Sequence, residues 1–316
     1  MILVTCAGGK TGRALVPALV KAGQKVRAMV GRPESETSIS RLGAVEIVSG
    51  ALSDADAVAS AMRGVEAIYY IAPNMTPDER TIGDIVIDAA KTAGVKRFIF
   101  HSTLHTQIEA LPHHWARHFV EQALINSGLA YSILQCGSYM QNMLPGWAKM
   151  VESGTHRMAY DIDAPMSLVD LGDIAEVAVE VSTAPGYENA IFEICGAAVT
   201  LRQKAEILSK ILGIPIRAEK EQLDAFLDHG HAHGFSEFTL ATMAKMFPYY
   251  DAHGLVGNAK TLGWILDREP TDFESFVRRV YASKIVARIG CPKSGAARSG
   301  HALAATTRSI SALKST

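Results

Sequence analysis

The stretch that decides the fold is Ile2-Leu3-Val4-Thr5-Cys6-Ala7-Gly8-Gly9-Lys10-Thr11-Gly12-Arg13. A short apolar run meets a glycine-rich corner, and the corner opens the helical pattern ALVPALVKAG. In a turn that cradles a dinucleotide the glycines divide the work. One bends the chain, one lets backbone N–H groups approach the pyrophosphate, and one lets the helix pack on its strand. Gly9 and Gly12 keep a G-x-x-G spacing, and Gly8 adds backbone freedom. The helix behind them offers unpaired N–H groups and its positive dipole end to an anion. Lys10 and the Thr11 hydroxyl add donors at the same corner. Cys6 stands three residues before Gly9, where such a turn carries its first glycine. If that position takes a positive φ, the cysteine side chain costs free energy.

Outward from this corner, apolar runs alternate with helical patterns. KVRAMV, VEIVSG, AIYYIA, RFIFHS and YSILQC read as strands. Between them, helices are predicted over 13–22, 34–42, 54–62, 78–93 and 114–127. Continuous rather than alternating apolar strands argue for a parallel sheet covered on both faces. The expected fold is α/β, a doubly wound parallel sheet of Rossmann type with a smaller C-terminal α/β lobe. After Asn142 the rhythm loosens. A helix over 170–183, a strand at AIFEIC and a helix over 201–212 behind Thr200 as N-cap make up the lobe. The expected division is 1–155 for the binding core and 156–282 for the lobe, with some of its elements returning to the core. The stretch 283–316 has no acidic residue and is rich in Ala, Ser, Thr and Gly, so it reads as a disordered basic tail.

The totals exclude several classes. Lys plus Arg number 31 against 32 for Asp plus Glu, so no global field attracts nucleic acid or an anionic membrane. The four cysteines are scattered and form no CxxC pair, which fits a reducing cytoplasm rather than a disulfide scaffold. No apolar run is long enough to span a membrane. Asp228-His229-Gly230-His231-Ala232-His233-Gly234 puts three histidines on one face if the chain is extended. Without an accompanying carboxylate cluster it reads as a mobile lid, and no metal is expected.

The second strand bears on cofactor choice. An acid at its end would bind the ribose 2′-hydroxyl of NAD, whereas an arginine accommodates a 2′-phosphate. Here the run AMVGRPE carries Arg32 at the strand end and Glu34 two residues later. NADP(H) is therefore favoured, with NAD(H) left open. Beyond the carboxyl ends of the fourth and fifth strands lie Ala72-Pro73-Asn74 and Ser102-Thr103, both expected to border the nicotinamide half. Gly137, Ser138, Tyr139 and Asn142 follow the sixth strand and are expected at the substrate cleft.

The ordered set of stretches resembles the NmrA-like family of atypical short-chain dehydrogenases/reductases. It includes ILVTCAGGKTGRALVPALVKAGQKVRAMVGRP, GVEAIYYIAP, AAKTAGVKRFIFHST, HHWARHFVEQALINSGLAYSILQCGSYMQNML, SLVDLGDIAEVA and YYDAHGLVGNAKTLGWILDREPTDFESFV. The resemblance spans about residues 2–279. It implies an NAD(P)-binding Rossmann protein that is either a reductase or a cofactor sensor acting on a protein partner. Four departures stand out. Cys6 replaces the first loop glycine, and Gly31 stands where an arginine is frequent, with Arg32 one place late. Gly50-Ala51-Leu52 replaces a frequent Gly-Asp-Leu beside the cofactor, and Arg117 stands where a lysine is usual. Related dehydrogenases use Tyr-x-x-x-Lys on the fifth helix, with the tyrosine as acid; here the spacing is filled by His113 and Arg117. The resemblance makes His113 a candidate proton donor and Arg117 a candidate ribose ligand, with Tyr139 as the one phenol near the site.

Two functions remain open. One is an NAD(P)H-dependent oxidoreductase reducing a small planar or carbonyl-bearing substrate by hydride transfer. The other is a non-catalytic NADP(H) sensor that binds a regulatory protein partner. A homodimer is left open, and neither nucleic acid nor membrane is an expected partner.

Overall fold

The structure, a computed structural model, describes residues 1–289. Its first half alternates strand and helix: β1 (Ile2–Val4), α1 (Lys10–Lys21), β2 (Val26–Val30), α2 (Glu36–Ser40), β3 (Glu46–Ser49), α3 (Ala55–Met62), β4 (Ala67–Ile71), α4 (Glu79–Ala93), β5 (Arg97–Thr103), α5 (Pro112–Ile125) and β6 (Tyr131–Cys136). The second half runs β7 (Ser138–Tyr139), α6 (Trp147–Ser153), β8 (Thr155–Met158), β9 (Met166–Val169), α7 (Leu171–Thr183), β10 (Ala190–Ile194), β11 (Ala198–Val199), α8 (Leu201–Leu212), β12 (Arg217–Lys220), α9 (Leu223–Ala232), α10 (Glu237–His253), α11 (Ala259–Leu266) and α12 (Phe273–Ile289).

Seven strands form one sheet in the order β10-β6-β5-β4-β1-β2-β3. Every pairing in it is parallel. The apolar strand runs follow from burial on both sides. Val4 and Tyr69 point into a core shared with Leu15, Val16 and Leu19 of α1 and with Ile174, Val177 and Val181 of α7. Leu3, Tyr70, Phe98 and Phe100 point the other way, against Val58 and Met62 of α3, Val86 of α4 and Val120 and Leu124 of α5. Because β2 and β3 lie on one side of β1 and β4 on the other, the strand order reverses beside β1. A crevice opens at that reversal, outside the carboxyl ends of β1 and β4.

The lobe is built on small sheets, β11-β9-β7 and β12-β8. The strand expected at AIFEIC is β10, and it returns to the main sheet as the neighbour of β6. Thr200 caps α8 as expected: its hydroxyl accepts from the Gln203 N–H at 3.1 Å, and the Gln203 side chain accepts from the Thr200 N–H at 2.9 Å. Residues Met1–Val277 form one compact unit, and the rest of α12 belongs to a second.

Two expectations are corrected. The tail expected from residue 283 begins inside α12, which stays helical to Ile289. Its run of Arg, Ala, Lys and Ile holds no helix breaker before Gly290. Residues 290–316 lie outside the described residues. The histidine run is not extended either. His229 and His231 sit in α9, where His229 meets Glu221 at 3.0 Å, and His231 meets Glu237 at 3.2 Å. Helical spacing fans these rings apart. Among the described residues no group of side chains is arranged to hold a metal ion, and no helix is long and apolar enough to cross a membrane.

The Thr200 cap closes two otherwise orphaned donors, so Thr200→Ala is expected to lower stability by about 1 kcal/mol in a urea titration. Thr200→Asn, which keeps an acceptor at the cap, should lose less.

Candidate active site

The crevice begins where β1 ends. Thr5 has its side chain in the ladder: Oγ1 donates to the Ile71 carbonyl and accepts from the Ile71 N–H, both at 2.8 Å. The backbone leaves the sheet at once, and Cys6 takes φ +45°, the left-handed region that favours glycine. This is the strained position that the loop pattern marks as the first glycine. A non-glycine residue there costs roughly 1–2 kcal/mol. The Cys6 carbonyl accepts from the Gly9 N–H at 2.9 Å, which closes the turn.

Gly12 explains the third glycine. A Cβ on it would stand 2.4 Å from Ala7 Cα and 2.6 Å from the Ala7 carbonyl oxygen, so helix and loop touch backbone to backbone. A Cβ on Gly8 would meet Ser35 Oγ at 2.9 Å. Gly9 caps α1 without a side-chain bond to the first turn, and that turn holds no acid. The N–H groups of Lys10, Thr11 and Gly12 precede the first intrahelical partners and face the crevice mouth unopposed. The cradle has the shape and polarity for a diphosphate.

Beside it lies a pocket of about 270 Å³ lined by Cys6, Met29, Gly31, Gly50, Ala51, Leu52, Ser53, Pro73 and Ile82. Cys6, Ala51, Leu52 and Pro73 are thus brought together as expected from the sequence. Met29 and Ile82 were missed, because each reads as an ordinary core residue of its strand or helix. Burial raises the Cys6 thiol to about 11, so it stays protonated at neutral pH. Ala72 is buried in the core and Asn74 is exposed. Arg32 is exposed in extended backbone at the end of β2. Its side chain makes no hydrogen bond or ion pair among the described residues, its carbonyl accepts from the Ser35 N–H at 3.0 Å, and Ser35 lies over Gly8.

On the opposite wall, the 138–143 segment is tied to the loop. Lys10 Nζ donates to Asn142 Oδ1 at 2.7 Å, and Thr11 Oγ1 donates to the Tyr139 hydroxyl at 3.3 Å. Tyr139 also meets His101 Nε2 at 2.6 Å, and His101 Nδ1 meets the Tyr69 hydroxyl at 2.9 Å. Burial raises the Tyr139 phenol above its ordinary range. Burial, with the Arg117 charge nearby, holds His101 neutral by lowering it to about 3. Gly137 owes its identity to packing, since a Cβ would meet Cys195 Cβ and the Ser167 carbonyl at 2.9 Å.

The fifth helix carries both expected residues, His113 and Arg117. Arg117 is buried, with Nη1 donating to the His101 carbonyl at 2.9 Å and Nε 3.2 Å from Glu79 Oε1, close enough to pair but not aligned for a hydrogen bond. It ties α5 to β5 and α4, and its charge acts on Cys6, His101 and Tyr139 around the crevice. Burial, with the Arg117 charge nearby, lowers His113 well below the ordinary histidine value, so near neutrality it is a neutral imidazole and not an imidazolium acid. Ser102 also turns away: its hydroxyl donates to Glu121 Oε1 at 2.5 Å on the helix side of β5. Strand alternation brings His101 to the other side, together with half-buried Thr103. His101 was invisible in the sequence because it sits inside the apolar run RFIFHS.

Known proteins share this sequence pattern and fold. The profile of the NmrA-like family matches residues 1–277. A Streptomyces griseus (4-alkanoyl-5-oxo-2,5-dihydrofuran-3-yl)methyl phosphate reductase is 36% identical over 71% of this chain and 78% of its own length. An NAD(P)H azoreductase of Xenophilus azovorans is 28% identical over 88% of this chain and 97% of its own. The crystal structure of an Escherichia coli NADPH-dependent quinone oxidoreductase with NADPH superimposes with a TM-score of 0.78 at 26% identity, covering 89% of this chain and all of that one.

Two outcomes follow for stability. Gly12→Ala is expected to cost about 1–3 kcal/mol through overpacking against Ala7, whereas Cys6→Gly should hold or raise the thermal midpoint by releasing the left-handed strain. The pH dependence comes from buried neutral imidazoles. His101 at about 3 and His114 at about 4 lie below the ordinary 6.5 that they regain on unfolding, and His113 is lowered as well. As pH falls through 6.5 the unfolded chain takes up protons that the folded chain refuses, so stability is full above that value and lost below it. Each such ring removes about 1.4 kcal/mol per pH unit, and urea midpoints measured from about pH 7.5 to 5.5 should fall accordingly. Glu79 and Glu121, raised by burial, act in the opposite sense nearer 4.5.

Proposed function

The chain belongs to the NmrA-like family, and we propose that it is an NADPH-dependent reductase of a small planar or carbonyl-bearing compound. The observation that carries this reading is the Thr11–Tyr139 hydrogen bond, which joins a half-buried phenol to the first turn of the phosphate-cradling helix. The relatives support it: two are reductases, of a furanone phosphate and of azo compounds, and a third is a quinone oxidoreductase.

In this reading the N–H groups of Lys10, Thr11 and Gly12 hold the diphosphate, and the pocket walled by Met29, Leu52 and Ile82 takes the apolar adenine end. Arg32, with Ser35 beside it, binds the 2′-phosphate through its planar fork. When bound, NADPH supplies the hydride. The chain itself supplies the proton: the Tyr139 hydroxyl stands at the crevice wall and remains protonated across the neutral range. Segment 138–143, latched by the Lys10–Asn142 bond, closes the far side and keeps water from the reacting atoms.

The sensor reading draws on one observation, the neutral His113 and the internally bonded Arg117 on α5. Turnover separates the two. Parallel titration with NADPH and NADH, followed by a panel of quinones, enones and azo dyes, should give tighter NADPH binding and steady NADPH oxidation with at least one acceptor. Binding without turnover across the panel removes the reductase. Arg32→Ala is expected to weaken NADPH by about tenfold or more while leaving NADH nearly unchanged; equal losses reject its assignment.

A further inference from the structure

The Tyr69–His101–Tyr139 chain is the most developed buried polar arrangement that the reading above leaves unexplained. Tyr69 is fully buried on β4, and its hydroxyl has one hydrogen-bond partner among the described residues, His101 Nδ1 at 2.9 Å. A buried phenol left without an acceptor is costly, so Tyr69 donates and Nδ1 accepts. His101 lies on β5 at 1% exposure and is neutral, so its single ring proton must sit on Nε2. Nε2–H then donates to the Tyr139 oxygen at 2.6 Å. Thr11 Oγ1–H donates to the same oxygen at 3.3 Å. With two donors arriving, Tyr139 cannot direct its own hydrogen at either of them. The hydrogen is left to point into the crevice. In the opposite tautomer, Tyr139 would donate to Nε2 and its proton would be withheld from any substrate.

We propose that Tyr69 and His101 are a positioning pair: Tyr69 selects the His101 tautomer, and His101 aims the Tyr139 proton at the substrate and steadies the phenolate left behind. This rests on Tyr139 being the proton donor of the reductase. Hydride from NADPH forms a C–H or N–H bond on the substrate and puts the electron pair on its carbonyl oxygen or second nitrogen. The Tyr139 O–H bond breaks as that atom takes the proton. The phenolate, held by Nε2–H and the Thr11 hydroxyl, regains a proton from water. The net reaction consumes one NADPH and one proton per reduced substrate. Tyr69 is itself too deeply buried to carry the charge, so the pair orients and does not relay. The other titratable groups facing this chain are Cys136, whose Sγ is 3.8 Å from His101 Nδ1, and Arg117, whose charge acts on both His101 and Tyr139.

The test uses the full chain with NADPH and the best acceptor of the panel. Tyr139→Phe probes the underlying reading: kcat should fall about a hundredfold with NADPH affinity retained. Full activity there overturns the donor and the pair together. Tyr69→Phe probes the pair alone: kcat should fall about tenfold with KM and NADPH affinity within about twofold. The alkaline limb of its kcat profile should also move upward, because the phenolate has lost a fixed donor. His101→Gln, which keeps one donor and one acceptor, should retain more activity than His101→Leu. An unchanged kcat and an unmoved limb in a folded Tyr69→Phe chain overturn the positioning role while leaving Tyr139 intact. If Tyr69→Phe does not fold, nitrogen-15 NMR of the wild-type imidazoles, with His101 assigned by the His101→Gln difference, decides. A proton on Nε2 supports the pair, and a proton on Nδ1 overturns it.

Discussion

At Gly12 the first helix lies against the backbone of Ala7 with no room for a side-chain carbon between them. That contact sets the position of α1 on the sheet, and with it the direction in which the helix presents its free N–H groups. It also dictates the bend before it. To bring the helix so close, the chain must leave β1 within one residue, which places Thr5 in the ladder by its side chain and forces Cys6 into a left-handed turn. The strain at Cys6 persists because burial on both sides over-determines it. Thr11 and Lys10, carried by the same turn, then reach Tyr139 and Asn142 and hold the opposite wall.

The main sheet was readable from the amino-acid sequence because both of its faces are covered. Apart from the half-exposed edge strand β3, the strands from β1 to β6 then carry apolar runs, and each covering helix shows its own period. The lobe was less readable for the same reason in reverse. β12 is the polar run RAEK, paired on one side only and largely exposed, so no apolar signal marks it. The glycine-flanked histidines looked like a loop or strand by composition, yet α9 holds them through the backbone ladder and its contact with α10. The phosphate corner was legible residue by residue, since glycine spacing reports backbone shape directly.

The proton chemistry was not legible, because it depends on which way side chains turn. His113 and Arg117 have the right spacing, but burial neutralises one and the His101 carbonyl and Glu79 engage the other. Ser102 and His101 are adjacent in sequence and face opposite sides of β5. The hydroxyl joins Glu121, while the imidazole joins two phenols. A histidine in an apolar strand looks like a core residue until its neighbours across the sheet are known. Tyr69 and Tyr139 come from segments 70 residues apart.

β10 bears on how the molecule is made. It is the last strand of the sheet and pairs with β6, although α6, α7 and three small strands separate the two along the chain. A ribosome that has released the first six strands therefore presents an unfinished edge at β6, with its N–H and C=O row open to other chains. The edge is sealed only after residue 194 has emerged and threaded back. Vulnerability to misassembly is concentrated in that interval of translation, and holdase chaperones would find their most exposed target there.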